Sequence, residues 1–470
     1  MEQDHSMASV TAQPQQTAII QTPFAWRVAL ALIILIEIAF GVFYAIRTPL
    51  WQAPDEPAHF NYVRHIAETG TLPMLRPGDY NQDYLEQIKA AKFPPTMSID
   101  SIRYEMYQPP LYYLAAAPIY LVARAIGLNT VLALRLLSVL IGAGVLLLAS
   151  ILFKQIFPQN RLLALAAVGL MATIPMNVAM WADVNADPLA DLLIAILLLV
   201  SLARILGTAT DRVFIVAGGI IYGLVLLTSI KIYPAGLVLV LAEVGNWKLD
   251  GKRWRTRVRQ QIGPGLRILA PLFAISLFLS GWWFIRNMLV YGGLDIMGLG
   301  QHDRVVIGQP TTAEWIAQYG FKNIFADFFI ITFKSFWAQF GWMGVLVNDR
   351  IYVALFLLTG VALFGALLWL IRLARAHWAE VRGVGWNWLT LGTWLAITLL
   401  AHIWYNIHYV QPQGRYLFPA LIPIAALLVV GLYELIDKRY ARLVLGLLYI
   451  VLIGLDYLSL FWYIIPQLRI

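Results

Sequence analysis

Long apolar runs separated by short polar breaks fill most of the chain. Runs of spanning length cover residues 25–46, 130–153, 162–181, 188–206, 213–230, 232–244, 266–285, 351–373, 386–405, 416–436 and 443–464. A membrane-crossing helix needs roughly 20 mainly apolar residues, so the pattern predicts an all-α polytopic membrane protein with about 11 transmembrane helices. A shorter apolar segment, 109–126, opens on two prolines and contains Pro118, which predicts a re-entrant or interfacial helix rather than a full span.

Between the first two runs lies a polar stretch, WQAPDEPAHFNYVRHIAETG, from Trp51 to Gly70. Asp55 is a good helix N-cap, Pro57 fits a first turn, and Gly70 followed by Pro73 makes a natural stop. Phe60, Val63 and Ala67 recur at helical spacing, so the segment is expected to lie along the bilayer surface with its polar side toward water.

Composition supports the membrane reading. Residues are 60% hydrophobic and 13% charged, about half the charged share of a soluble domain. The net charge of +8 would point to nucleic acid in a soluble chain. Here the basic residues sit in alternate loops: Lys154 and Arg161, Arg204 and Arg212, a dense group from Lys248 to Arg267, then Arg372, Arg375, Arg382, Lys438, Arg439 and Arg442. That alternation follows the positive-inside rule and predicts a cytoplasmic N-terminus and an outer C-terminus. Counting 109–126 as a full span would put the densest group outside.

The first 23 residues are Gln- and Thr-rich and read as a disordered cytoplasmic tail, with residues 24–470 forming one transmembrane domain. The run that follows the tail is too long for a signal peptide and is expected to stay as the first span. Absence of cysteine excludes disulfides, thiolate metal sites and a cysteine nucleophile. Two large outer loops are expected, 47–129 and 287–350, with interfacial helices. The second carries Trp315, Phe328, Phe329, Phe336, Trp337 and Trp342, residues that favour the headgroup level.

Ionisable residues at membrane depth are costly and tend to be functional. They gather at the expected outer pole: Asp55 and Glu56 after the first span; Asp183, Asp187 and Asp191; Lys231 in a short turn; Arg286 and Arg415 at span ends; His59, His65, His402 and His408 nearby. Each also has a structural explanation, as an N-cap for the aspartates or a headgroup anchor for the cations. Asp55 and His59 are four apart and can share a helical face, but no metal-ligand spacing is present and no metal is predicted. Adjacent carboxylates beside several cations suit a reaction in which a carboxylate activates a hydroxyl while cations stabilise a departing phosphate.

The same residues resemble the GT-C superfamily of membrane glycosyltransferases, which use polyprenyl-phosphate-linked sugars. The resemblance rests on Pro54-Asp55-Glu56-Pro57, Tyr107-Gln108-Pro109-Pro110-Leu111-Tyr112-Tyr113, Arg135-Leu136-Leu137-Ser138, Asn185-Ala186-Asp187, Lys231, Trp282 to Asn287, and Tyr291-Gly292. Ala338-Gln339-Phe340-Gly341-Trp342 and Gln413-Gly414-Arg415-Tyr416-Leu417-Phe418-Pro419 are similar to segments of a bacterial branch related to protein mannosyltransferases and aminoarabinose transferase-like proteins. Each motif is short; their order agrees over nearly the whole membrane core. The better-known members carry a large C-terminal soluble domain that has no counterpart here.

The resemblance implies an inverting transfer of a hexosyl or pentosyl group at the outer face of a bacterial plasma membrane. Asp55 would be the general base and Glu56 its helper. Asp187, Lys231, Arg286, Arg415, His59 and Tyr112 would bind substrate. The partners implied are a polyprenyl-phosphate sugar, a lipid, glycan or protein acceptor, and membrane lipids; no cofactor is predicted, since relatives differ in needing a divalent cation. A non-enzymatic transporter of lipid-linked glycans is the alternative. It should scatter polar groups along a path through the bilayer, whereas these spans carry little charge.

Overall fold

A computed structural model describes residues 23–247, 254–375 and 378–469. The expected tail, and Lys248, Lys252 and Arg253 of the basic group, lie outside the described residues. Among those residues eight helices are long and apolar enough to cross a membrane: Phe24–Arg47, Thr130–Ile156, Asp187–Ile205, Arg259–Tyr291, Asp349–Arg375, Gly385–His408, Gly414–Leu435 and Ala441–Leu468. The protein is an all-α polytopic membrane protein.

Three further apolar runs are interrupted. The run at 162–181 becomes a helix Arg161–Ala172 and a short turn of helix Pro175–Met180, broken where Pro175 removes a backbone donor. The runs on either side of Lys231 become helices Asp211–Leu226 and Gly236–Asn246, joined by a 3-10 turn, Ile230–Ala235, that contains Pro234. This turn holds Lys231 at the mouth of the bundle instead of inside a continuous helix.

The largest core cluster draws mainly on the Thr130–Ile156, Arg161–Ala172, Asp187–Ile205 and Leu421–Leu435 helices, which bury many of their small and aliphatic side chains in it. Close approach is enforced by glycine. A Cβ on Gly431 would lie 1.8 Å from the Ala362 carbonyl oxygen, and one on Gly365 would lie 2.0 Å from the Gly431 carbonyl oxygen. The Asp349–Arg375 and Leu421–Leu435 helices therefore touch backbone to backbone, the packing mode that replaces the hydrophobic effect inside a bilayer. Glu37 is fully buried among helices rather than facing lipid.

A second cluster caps one pole. The Glu56–Thr69 helix packs on the Leu111–Ala125 helix through Phe60, Tyr62, Val63, Tyr113, Ala116 and Tyr120. The sequence expectation that Glu56–Thr69 rests on the bilayer with a wet polar face is thus corrected: Glu56, His59 and Asn61 are buried as well, because the polar face has partners of its own. The Leu111–Ala125 helix has 15 residues with Pro118 inside, shorter than a span. The later loop forms helices Leu299–Val305, Thr312–Tyr319 and Phe321–Trp337 and a two-stranded hairpin, Gln339–Phe340 with Val345–Leu346, in antiparallel register Phe340 to Val345. Phe321, Phe325 and Phe329 stay exposed along one helix, an apolar stripe suited to lipid contact.

Candidate active site

The site begins with a backbone elbow. Residues Thr48 to Asp55 carry the chain from the first span into the Glu56–Thr69 helix. Trp51 (φ 65°) and Asp55 (φ 68°) both adopt the left-handed conformation, which costs of order 1 kcal/mol or more for a non-glycine residue. Asp55 stands at the N-cap position and its carbonyl accepts from the Ala58 and His59 amides, but its side chain makes no capping bond. The capping role expected from sequence is corrected accordingly. The left-handed turn frees the carboxylate to point elsewhere.

Two partners hold it there. The Tyr104 hydroxyl donates to Asp55 Oδ1 at 2.6 Å, and Arg415 donates to Oδ2 at 2.5 Å. Burial pushes the Asp55 carboxyl up, but the Arg415 charge, the Tyr104 bond and nearby His59 outweigh it and hold the group down at about 2. Asp55 is therefore ionised at any physiological pH.

Glu56 is placed differently. Its carboxylate is inaccessible and forms a forked pair with Arg135, at 2.6 and 2.7 Å, and also accepts from the Trp51 amide at 3.1 Å. Arg135 spends its remaining donors on the carbonyls of Ala45, Thr48 and Pro49. The pair ties the end of the first span, the elbow and the Thr130–Ile156 helix into one unit.

The other cation pair lies beside Asp55. Lys231 binds both oxygens of Asp187, at 2.7 and 3.0 Å. Lys231 Nζ and the Arg415 guanidinium each sit 5.3 Å from the centre of the Tyr416 ring, so both cations lie against the same aromatic side chain. His59 shares the field of Asp55, Asp187, Lys231 and Arg415; burial pushes its imidazole down to about 4, and its Nδ1 is 2.8 Å from the Tyr113 hydroxyl. It is neutral at pH 7.

The structure thus brings Asp55, Asp187, Lys231, Arg415 and His59 together. Arg286 joins a different group: it donates to the Pro73 carbonyl and to Asn287 and lies over Trp283 and Tyr291, bracing the chain after Gly70. Tyr112 is fully buried behind the elbow, 3.5 Å from the Ser138 hydroxyl. Asp183 is also behind it, buried with neither carboxylate oxygen hydrogen-bonded among the described residues, and lines a small cleft with Gln52, Met176 and Phe340. Burial, reinforced by the Glu56 charge, pushes Asp183 well above the carboxylate range. No three His, Asp or Glu side chains among the described residues converge so as to hold a metal.

Sequence reasoning missed Tyr104 and Glu105. They lie in Tyr104-Glu105-Met106-Tyr107-Gln108, just before Pro109-Pro110, and no periodicity marks them. A carboxylate flanked by tyrosines on the approach to a helix start was the available signal. Glu105 faces Asp55, Lys231 and Asp187, and burial together with the Asp55 charge pushes its carboxyl up to about 7.

The described residues thus form a polytopic helical bundle with a charged, aromatic-lined pole. Residues 2–450 match the model of a family described as "Family of unknown function (DUF6541)", and the chain belongs to that family. No curated protein matches. Among solved structures, the chain is similar to the crystal structure of ArnT from Cupriavidus metallidurans bound to undecaprenyl phosphate, at 16% identity and a TM-score of 0.51. The match covers 92% of this chain and 65% of that one, so this chain spans about two thirds of the length of ArnT. The likeness is one of fold.

Proposed function

We propose that the protein is an integral membrane glycosyltransferase that moves a sugar from a polyprenyl-phosphate carrier to an acceptor hydroxyl, with inversion, at the non-cytoplasmic face. The observation that carries this reading is the ionised Asp55 carboxylate held at 2.5 Å from Arg415, with Lys231 against the same Tyr416 ring as Arg415. The fold likeness to a protein crystallised with undecaprenyl phosphate supports a lipid phosphate as the anion these cations receive.

In this reading the acceptor oxygen attacks the anomeric carbon from the face opposite the phosphate. Its proton passes to Asp55, the carbon–oxygen bond to phosphate breaks, and the electron pair leaves on the polyprenyl phosphate. Arg415 and Lys231 stabilise the charge that develops there. A carboxylate held at about 2 is a weak base. Moving Arg415 from Asp55 toward the donor phosphate relaxes that hold, so donor binding strengthens the base. Asp187 orients Lys231, and His59, neutral and buried beside Asp55, contacts the sugar or the acceptor. Glu56 acts through the elbow: its pair with Arg135 fixes where Asp55 points. Arg286 shapes the loop after Gly70.

The test is transfer in reconstituted bilayers. Purified protein receives radiolabelled polyprenyl-phosphate sugars together with a membrane glycolipid and protein extract. Label appearing on an acceptor supports the enzyme. Movement of intact donor between leaflets with no transfer from any donor would replace it with the transporter reading.

A further inference from the structure

The turn that carries Arg415 is pinned from two sides. Asn406, at the end of the Gly385–His408 helix, clasps Gln411: its Oδ1 accepts from the Gln411 amide and its Nδ2 donates to the Gln411 carbonyl, both at 3.1 Å. From the Phe321–Trp337 helix, Thr332 Oγ1 donates to the Pro412 carbonyl at 3.3 Å, and Ser335 Oγ accepts from the Gly414 amide at 2.7 Å. The backbone from Gln411 to Gly414 is therefore fixed, and its two glutamine side chains are linked in series to Arg415.

Arg415 Nε donates to Gln413 Oε1 at 2.7 Å, and Gln413 Nε2 donates to Gln411 Oε1 at 2.5 Å. Chemistry forces the direction of this chain. A guanidinium carries five N–H groups and no acceptor, so the Gln413 oxygen must face it, the Gln413 NH2 must face Gln411, and Gln411 must accept. Arg415 is buried, with Nη2 bound to Asp55. Its Nη1 forms no hydrogen bond among the described residues.

We propose that Gln413 is a positioning residue for Arg415: it ties the guanidinium by Nε, so that Nη2 rests on Asp55 and Nη1 stays open to the carrier phosphate, with Gln411 fixing Gln413 in turn. The proposal rests on the reading of Arg415 as a phosphate-binding cation. Rotation about the Cδ–Nε bond swings the Nε–H with the rest of the planar group, so one bond at Nε sets the whole plane. The cation then meets an arriving phosphate without first having to turn, which is how a preorganised donor stabilises developing charge. Gln413 acts through Arg415, as an outer partner acts through the group it orients.

Titration of the full-length protein in detergent with undecaprenyl methyl phosphate tests this. Gln413→Met keeps the length of the side chain and removes both amide groups. It should weaken binding about tenfold, the size of one hydrogen bond to a charged group. Gln411→Met, at a half-buried position, should weaken it less, since it loosens Gln413 alone. Arg415→Gln should also weaken binding, and adding Gln413→Met to it should cost nothing further, because nothing is left to orient. Native affinity in Gln413→Met, or the same loss with and without Arg415, would overturn the proposal. A second cycle needs no lipid: in thermal unfolding, Gln413→Met and Asp55→Asn together should lower the midpoint by less than the sum of their separate shifts. Should Gln413→Met fail to fold, both cycles run with Gln411→Met. If Arg415→Gln binds the lipid as the native protein does, the phosphate reading fails and the unfolding cycle decides: coupling keeps the hold of Gln413 on Arg415, and strict additivity removes it.

Discussion

Side chains of like chemistry do different work at this pole because their partners differ. Asp55 and Glu56 are neighbours in sequence, yet one is bound to a tyrosine and an arginine at the cluster's mouth and the other is sealed against Arg135. Removing half of a buried pair leaves an uncompensated charge, so Glu56→Gln should lower stability by about 3–5 kcal/mol. The double variant Glu56→Leu with Arg135→Met should recover part of that loss in denaturant unfolding without recovering transfer. Glu105 carries a stability signature of its own. Its carboxyl is raised from 4.5 to about 7, so between those values the native state binds more protons than the unfolded one. Stability contributed by this group is therefore full at acid pH and falls as pH rises from about 4.5 through about 7. Glu105→Gln should flatten that fall in thermal unfolding; an unchanged slope would assign it to another group.

Elements rather than single residues set the elbow. The hairpin supports it from below: Trp342 Nε1 donates to the Trp51 carbonyl at 2.9 Å, and Trp342 and Met343 share the left-handed conformation of Trp51 and Asp55. Trp342→Phe removes one hydrogen bond worth about 1 kcal/mol, and should lower transfer more than it lowers the unfolding midpoint. Gly414 lets the 3-10 turn bearing Arg415 lie directly on the Phe321–Trp337 helix, since a Cβ there would be 2.2 Å from the Thr332 carbonyl oxygen. Helices and their polar poles were legible from apolar runs, and Asp55, Asp187, Lys231 and Arg415 from their position at run ends. The breaks at Thr173 and around Lys231 were less legible, because a proline inside an apolar run does not say whether it kinks a helix or ends it. Tyr104 and Glu105 left only one weak sign, a carboxylate flanked by tyrosines ahead of a helix start. They reach Asp55 across 49 and 50 positions of irregular chain, and such pairings depend on loop paths that local pattern does not encode.

At the scale of the molecule, the arrangement needs a membrane orientation to have meaning. Basic residues alternate from loop to loop, and the proposal that the Asp55 pole lies outside the cytoplasm rests on that alternation. The chain has no cysteine, so single introduced thiols report sidedness without background. In intact cells an impermeant maleimide should label Ser101→Cys and should reach Gln159→Cys only after permeabilisation; the reverse pattern would invert the topology. Packing is the other global feature. Gly431→Ala would force apart two helices whose backbones touch, and should abolish the folded state in detergent rather than tune it.

The most direct test of the central claim compares native protein with Asp55→Asn, using one polyprenyl-phosphate sugar that the native protein consumes. The variant keeps the shape of the elbow and loses only the carboxylate charge. Turnover should drop by about 10²–10⁴-fold or more while donor binding is retained. Turnover within a few-fold of native would contradict the account, because among the described residues Asp55 is the carboxylate that pairs directly with Arg415.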